Sequence, residues 1–224
     1  MSKLEYTIQM EVAGNTAIWT RPDSGDSPVS YPAPTYSAVK ALFESVLWGP
    51  AVEIIPRKVE LCAPIRYHSY ATNYGGPLRS PSNIKGDNNY QLYATVLIDV
   101  CYRIYAVAVP NKNKRNISQN ALRWDKNTSS PGHAYQEIFN RRLKNGQCFA
   151  NLCMGWKEFT PSYFGPFRND TKVFEEMEDI LIPSMLRQSF SDGYNSQFHA
   201  VFDRNVVIHK GTMIFPERGY VYDK

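Results

Sequence analysis

The stretch YQLYATVLIDVCYRIYAVAV, residues 90–109, runs for twenty positions without a glycine or a proline. It is rich in β-branched and aromatic residues, which favour strands over helices. A run of this length predicts one long strand, or two strands of a bent sheet, rather than a helix. We therefore expect the chain to contain a β-sheet in which this stretch takes part.

The segments before this stretch alternate between strand-like and helical patterns. EYTIQMEVAGNTAIWT, residues 5–20, predicts a strand, a turn at AGN and a second strand. YPAPTYSAVKALFESVLWGP, residues 31–50, predicts a helix with Thr35 as its N-cap and a stop at the Gly-Pro pair 49–50. Residues 51–70 predict an extended strand interrupted by prolines, which favours an edge or a bulged position.

The segments after it continue the alternation. SSPGHAYQEIFNRRLKNGQ, residues 129–147, predicts a helix over 132–145 that the Asn-Gly pair 145–146 closes. CFANLCMGWKEFTPSYFG, residues 148–165, returns to a strand-like composition.

Taken in order, these elements predict the pattern βαββαβ over roughly the first 165 residues. We therefore expect an α+β protein with a ferredoxin-like domain at residues 1–168. Residues 169–224 suggest a few more strands, and some 50 residues would be marginally stable alone. They predict a small β-rich C-terminal extension rather than an independent domain.

Several classes of protein do not fit the composition. No stretch approaches about 18 uninterrupted apolar residues, and the N-terminus is too polar for a signal peptide, so we expect no membrane segment and a cytoplasmic location. The four cysteines, at 62, 101, 148 and 153, form no C-x-x-C pair and have no histidine at metal spacing. Reduced thiols are the expectation, and nothing indicates a metal or an organic cofactor.

Positive charge is concentrated in one segment of the chain. Residues 110–145 carry a net charge of +6, whereas the whole chain carries +4 and the remainder is therefore about −2. Such a segment is typical of a protein with a polyanionic partner, although a solvated loop with incidental cations would look the same. Its eight cations are Lys112, Lys114, Arg115, Arg123, Lys126, Arg141, Arg142 and Lys144.

The predicted helix at 132–145 is amphipathic. At 100° per residue, one face carries a histidine and three charged residues, namely His133, Glu137, Arg141 and Lys144. The opposite face carries Tyr135, Ile138, Phe139 and Leu143. Arg142 breaks the pattern, so its side chain must either extend past the apolar residues or meet an anion.

His133 falls in the first turn of this helix, where backbone N–H groups are unpaired and the helix dipole is positive. Both features favour a bound phosphate. A neutral imidazole beside a phosphodiester can act as a general base and, once protonated, as a general acid. RNA supplies its own nucleophile in the 2′-hydroxyl, so cleavage there needs no metal. The alternative is that His133 only hydrogen-bonds to a neighbouring group on an exposed helix start.

Five segments together resemble one known family: GNTAIWTRP, VSYPAPTYSAVKALFESVLWGP, APIRY, GHAYQEIFNRRLKNGQ and NVVIHKGTMIFP. This is the Cas five family of CRISPR-associated proteins, in its type I-C (Dvulg) subtype, a branch of the RAMP superfamily. The resemblance extends over nearly the whole chain. Its most specific part is the N-terminal block, in which Thr-Arg-Pro, Ser-Tyr-Pro, Pro-Thr-x-Ser-Ala and Glu-Ser-x-x-Trp occur in order with family-like spacing.

The resemblance implies a ferredoxin-like domain with a β-rich C-terminal extension. It also implies a metal-independent endoribonuclease that cuts CRISPR repeat RNA at the base of its hairpin. The protein would then stay on the 5′ handle of the guide RNA, beside the other subunits of the type I-C interference complex.

The family's proposed catalytic set is a tyrosine, a lysine and a histidine. His133 matches the histidine, whereas Leu47 stands at the tyrosine place and Gly132 at the lysine place. Tyr31, Tyr36 or His68 could replace the tyrosine as a proton relay, and the sequence does not choose among them. Another cation of the basic segment, or the helix N-terminus, would have to replace the lysine.

Two other readings stay open at this point. One is a subunit that binds the guide handle and assembles the complex without cutting RNA, and the other is a ferredoxin-like RNA binder unrelated to CRISPR. In all three cases we expect RNA to contact Arg21, Lys112, Lys114, Arg115, Lys126, Arg141, Arg142 and Lys144.

Overall fold

The computed structural model describes residues 5–74, 90–111, 119–120, 123, 130–190, 198–217 and 220–221. Within these residues, nine strands form one sheet and two helices exceed ten residues, so the predicted α+β class is confirmed. The helices are α1 (Tyr36–Val46) and α2 (Pro131–Lys144). The strands are β1 (Tyr6–Ala17), β2 (Val52–Leu61), β3 (Tyr67–Tyr74), β4 (Tyr90–Pro110), β5 (Tyr163–Gly165), β6 (Ile180–Phe190), β7 (Phe198–His209), β8 (Thr212–Ile214) and β9 (Tyr220–Val221).

The sheet is antiparallel and has the strand order β5-β1-β4-β2-β8-β7-β6. β3 also pairs with β4, and β9 with β7. The predicted long strand at 90–109 is confirmed as β4, which pairs with β1 along one side. Along its other side β3 pairs with the first half and β2 with the second half. Between these halves Asp99 has a positive φ of 53°, which marks a local irregularity in the strand.

The strand-turn-strand prediction for residues 5–20 is wrong. β1 is one continuous strand of 12 residues, and Gly14 lies within it opposite Val100 of β4. A Cβ atom at Gly14 would lie 2.8 Å from the sulfur of Met154, so this glycine permits a close approach of two segments. The glycine that suggested a turn is therefore a packing requirement.

Two other strand predictions are right only in part. Residues 51–70 contain two strands, and β2 has the predicted irregularity between Pro56 and Lys58. However, β2 is not an edge strand, because it pairs with β4 on one side and with β8 on the other. In the segment 148–165 only β5 is a strand, and the irregular chain before it buries Leu152, Met154 and Phe159.

Both predicted helices are confirmed. Thr35 caps α1, since its hydroxyl oxygen accepts a hydrogen bond from the backbone N–H of Ala38 at 3.3 Å. The two helices pack against each other and the sheet, with the rings of Phe43 and Phe139 5.6 Å apart between centroids. On α2 the four polar residues of the predicted outer face are exposed, whereas Tyr135, Phe139 and Leu143 are buried.

The C-terminal strands continue the same sheet, because β8 pairs with β2. The division at residue 168 stays a prediction. Among the described residues, no helix has the length and hydropathy that a bilayer crossing requires.

A buried carboxylate joins β1 to the segment that follows β5. Glu11 has no exposed surface and accepts hydrogen bonds from the Arg168 Nε and the Thr171 hydroxyl, each at 2.6 Å. The Arg103 Nε lies 3.6 Å from the same carboxylate. Burial acts to raise the pKa of Glu11, but the hydrogen bonds from Thr171 and Arg168 outweigh it, so this pKa lies below its ordinary value.

We expect Glu11→Gln to lower the free energy of unfolding at pH 7 by about 3 kcal/mol, because it leaves two arginines facing an uncharged amide. Since the folded-state pKa is lowered, the carboxylate stabilises the fold above its unfolded pKa, near 4.5, and this contribution is lost as the pH falls through the folded value. The difference between the wild type and the variant should therefore shrink below about pH 4.5 in urea unfolding. The exposed Glu178→Gln is the control, and an equal loss in both variants would contradict the role of Glu11.

Candidate nucleic-acid interface at the start of α2

The first turn of α2 leaves backbone donors available. Ser130 is the N-cap residue, but no described side chain forms a capping hydrogen bond there, and no acidic residue lies in the first turn. Pro131 has no N–H to satisfy, so it begins the helix at no cost in hydrogen bonds. The N–H groups that follow Pro131 point out of the helix end, where they and the dipole favour an anion.

His133 is exposed in this first turn and contacts the ring of Tyr6 from β1. The two ring centroids are 5.7 Å apart and the planes meet at 66°, an edge-to-face arrangement. The Tyr6 hydroxyl in turn shares a 2.8 Å hydrogen bond with the hydroxyl of Ser130. Tyr6 therefore contacts both the N-cap residue and the histidine of α2.

Gly132 is buried between these groups. A Cβ atom at this position would lie 2.5 Å from Cδ2 and 3.0 Å from Cε2 of Tyr6, and 3.3 Å from the backbone oxygen of Ala108. A lysine at position 132 would therefore require the Tyr6 ring to move. Gly132, where the resemblance leads one to expect a lysine, thus packs directly against Tyr6.

Leu47 lies at the C-terminal end of α1, where it contacts the first half of α2. It is the C-cap of α1, it packs against the core, and its backbone oxygen accepts a hydrogen bond from the hydroxyl of Tyr135 in α2. Burial raises the pKa of Tyr135, which keeps this hydroxyl a neutral donor. Position 47 thus contacts α2 at Tyr135, two residues after His133, and among positions 47, 132 and 133 only His133 carries a titratable side chain.

The three side chains that could have replaced the family's tyrosine lie elsewhere. Tyr31 is buried, and its hydroxyl lies 3.2 Å from both the backbone oxygen of Ser184 and the backbone nitrogen of Leu186. Tyr36 begins α1 at the end opposite Leu47. His68 is exposed on β3, opposite Val96 in the first half of β4. Among the described residues, Tyr6 is instead a tyrosine that contacts His133, and no local pattern in the sequence indicates this contact.

The three cations of α2 differ in their surroundings. Arg141 and Lys144 are exposed in its last turn, about 12 and 16 Å along the helix axis from His133 at a rise of 1.5 Å per residue. Arg142 is half-buried, and its Nε is buried without a hydrogen-bond partner among the described residues. Its side chain therefore lies partly within the apolar side of the helix, which is one of the two alternatives that the sequence pattern left open.

Arg21 does not join this site. Its guanidinium pairs with Asp23 at 2.7 Å, and its backbone N–H bonds to Val29 just beyond the C-terminal end of β1. Tyr6 lies at the other end of β1, which spans roughly 35 Å at about 3.3 Å per residue. The remaining predicted RNA contacts, Lys112, Lys114, Arg115 and Lys126, lie outside the described residues.

The arrangement defines an exposed imidazole at the positive end of a helix, a class of site that can hold a phosphate and exchange a proton with it. A family profile described as CRISPR-associated protein (Cas_Cas5), of the Cas5d type, matches residues 7–220. The chain therefore belongs to the CRISPR-associated Cas5 family.

Two curated proteins with the name CRISPR pre-crRNA endoribonuclease Cas5d are similar in sequence. That of Mannheimia succiniciproducens is 32% identical over 172 residues, which cover 70% of this chain and 71% of that protein. That of Thermus thermophilus is 30% identical over 162 residues, which cover 71% of this chain and 63% of that protein.

Two crystal structures have a similar fold at low sequence identity. A structure described as a CRISPR-associated protein has a TM-score of 0.70 and 18% identity, and the match covers 96% of this chain and 95% of that one. The functionally uncharacterized protein SMU1763c from Streptococcus mutans also has a TM-score of 0.70, with 16% identity and the same coverage. These likenesses concern the fold alone.

We expect Gly132→Ala to destabilise the wild-type protein by about 1–3 kcal/mol, because the added methyl group overlaps the Tyr6 ring. In a Tyr6→Ala background the same change should be neutral, or stabilising by up to about 1 kcal/mol, since alanine favours the helix. Urea unfolding of the four proteins measures this coupling. Equal costs in the two backgrounds would contradict it and would point to the Ala108 oxygen instead.

Proposed function

We propose that this chain is an endoribonuclease that cuts CRISPR repeat RNA at a phosphate bound by the start of α2. The observation that carries the proposal is the exposed imidazole of His133 beside N–H groups that no described side chain caps. The names of the two sequence relatives support the choice of repeat RNA as substrate.

The proposed reaction is an intramolecular transfer at phosphorus. The 2′-hydroxyl of the nucleotide before the cut attacks the phosphate, and neutral His133 accepts its proton. The bond from phosphorus to the 5′-oxygen then breaks, and that oxygen takes up a proton from the imidazolium or from water. The products are a 2′,3′-cyclic phosphate and a 5′-hydroxyl end. Because RNA supplies the nucleophile, the reaction requires no metal ion.

Two features of the site support the charged transition state. The N–H groups at the start of α2 are fixed by the helix and can stabilise negative charge on the non-bridging oxygens. Tyr6 is a positioning residue in this proposal, since its ring contacts the His133 ring edge-to-face and limits the orientations of the imidazole. Neither feature depends on the lysine that the resemblance leads one to expect at position 132.

We further propose that the protein stays on the 5′ handle of the guide RNA, within a type I-C interference complex. The exposed Arg141 and Lys144 support RNA binding beyond the cut phosphate. The contacts predicted for Arg21, Arg142 and the four cations outside the described residues stay predictions, as does a cytoplasmic location.

A second candidate is a subunit that binds the handle without cutting. Leu47 and Gly132 favour it, because the first packs against the core and the second has no room for a side chain beside Tyr6. Both candidates predict that RNA affinity falls steeply with salt. They differ in whether the bound repeat is cut.

We also propose that β1, α1, β2, β4, α2 and β5 form a ferredoxin-like unit, with residues 169–224 as its β-rich extension. The order β5-β1-β4-β2 and the antiparallel pairing support this assignment, since they correspond to a βαββαβ chain with β3 inserted.

The decisive experiment incubates the protein with the repeat RNA of its own CRISPR array in EDTA. We expect cutting to leave a 2′,3′-cyclic phosphate, and His133→Ala to lower the single-turnover rate by about 10² to 10⁴-fold, the usual contribution of a general acid or base. RNA affinity should change little, because the helix start remains.

His199→Ala is the matched control, since His199 is also exposed but lies on β7. Its rate should equal that of the wild type. RNA that is bound but uncut by the wild type would support the second candidate, and cutting by His133→Ala at the wild-type rate would overturn the proposed chemistry.

Tyr6 can be tested through the orientation of His133. We expect Tyr6→Ala to slow cutting by about 100-fold, because a loosened imidazole is misplaced, and to shift the pH profile of the single-turnover rate. Tyr6→Phe keeps the ring and should retain most of the rate. A loss in Tyr6→Phe as large as that in His133→Ala would contradict positioning through the ring and would instead indicate proton transfer by the hydroxyl.

A further inference from the structure

Two large aromatic side chains, one shortly after each of the two long helices, lie exposed beside each other. Trp48 is 51% exposed and Phe149 is 61% exposed. Their ring centroids are 6.2 Å apart and the planes differ by 28°, so the rings stack. The proposed cleavage reaction uses neither side chain.

Hydrogen bonds of the neighbouring backbone connect the segments that carry these two side chains to α1 and α2. The N–H groups of Phe149 and Ala150 donate to the backbone oxygen of Ser45 in α1, at 2.7 and 3.0 Å. Trp48 directly follows Leu47, whose backbone oxygen accepts a hydrogen bond from the hydroxyl of Tyr135, the fifth residue of α2. The pair therefore lies at the C-terminal end of α1, which is joined by this hydrogen bond to the residue two positions after His133 in α2.

We propose that Trp48 and Phe149 form a platform on which an unpaired base of the bound RNA stacks. This inference rests on the proposed function, because it places the base near the phosphate that the start of α2 holds. Proteins that bind single-stranded nucleic acid combine such aromatic faces with positive charge along the backbone path. A preformed stacked pair suits this role, since little side-chain freedom is lost when a base is added.

The surroundings of the pair favour a base over an apolar protein segment. The neighbours in sequence add little exposed apolar surface, because Leu47 before Trp48 packs against the core and Gly49 follows it. The residues before Phe149 are Asn145, Gly146, Gln147 and Cys148. A protein docking surface would normally require a wider apolar patch. The carboxylate of Glu44 on the preceding turn is 3.9 Å from the ammonium of Lys40, which offsets its charge near an RNA backbone.

The test measures binding of the fluorescein-labelled repeat RNA in EDTA, with His133→Ala as the parent protein so that the RNA stays intact. We expect Trp48→Leu and Phe149→Leu each to raise Kd roughly 5- to 150-fold, the usual effect of losing one base-stacking contact. Trp48→Phe keeps an aromatic face and should bind more tightly than Trp48→Leu. Leucine keeps the apolar character, so the comparison isolates stacking.

Salt dependence separates stacking from charge. The slope of log K against log salt should be the same in the parent and in Trp48→Leu, because no phosphate contact is lost. Arg141→Gln should lower that slope by about one. Tyr93→Leu is the matched control, because Tyr93 is 52% exposed on the first half of β4, and its Kd should equal that of the parent.

A series of repeat RNAs, each with one abasic nucleotide, identifies the stacked base. At one position the abasic change should weaken binding to the parent but have little further effect on Trp48→Leu. Equal Kd values for the parent, Trp48→Leu and Phe149→Leu would overturn the proposal, as would loss of binding to the other complex subunits with unchanged RNA affinity. Weakened binding in these variants would support the platform even if the wild-type protein failed to cut RNA, so the two proposals fail separately.

Discussion

The antiparallel pairing of β1 with β4 determines where the start of α2 meets the rest of the chain. Eleven residue pairs fix this register, and the first of them sets Tyr6 opposite Ala108, near the end of β4. Side chains alternate between the two faces of a strand, so a slip of one residue would turn Tyr6 away from the helices. The contacts of Tyr6 with Gly132 and His133 therefore depend on a backbone ladder that extends over the whole of β1.

The same register sends the side chains of β1 to two different environments, the contact with α2 on one face and a buried ionic contact on the other. Tyr6, Ile8 and Met10 share the face that α2 covers, whereas Glu11 points to the opposite face and binds Arg168 and Thr171. The sheet is thus anchored on one face by apolar packing and on the other by a buried charge. Because β1 is held on both faces, Tyr6 has a fixed position beside the exposed His133.

Position 132 links this packing to chemistry. The resemblance leads one to expect a lysine there, yet the ring of Tyr6 fills the space into which a side chain would extend. In this protein the lack of a side chain at position 132 therefore makes room for the same ring that contacts His133. In the proposed reaction, negative charge on the phosphate would be met by the backbone N–H groups that a helix start supplies in any sequence, or by another cation of the basic segment.

The sequence predicted correctly those helices and strands that are determined by residues close together in the chain. The 3.6-residue periodicity and capping residues gave both helices, and the absence of glycine and proline gave β4. Gly14 was misread because a close approach to Met154 and a turn both require glycine. The contact of Tyr6 with His133 could not be predicted, since the two residues lie 127 positions apart in the chain. Neither the exposure nor the stacking of Trp48 and Phe149 leaves a periodic signal.

The geometry of α2 separates its cations from His133, which a count of charges along the sequence could not do. Arg141 and Lys144 lie about 12 and 16 Å from His133 along the helix axis, too far to contact the same phosphate. In the proposed function these cations would hold flanking nucleotides while the helix start would act on the cut phosphate, so RNA affinity and cutting would depend on different residues.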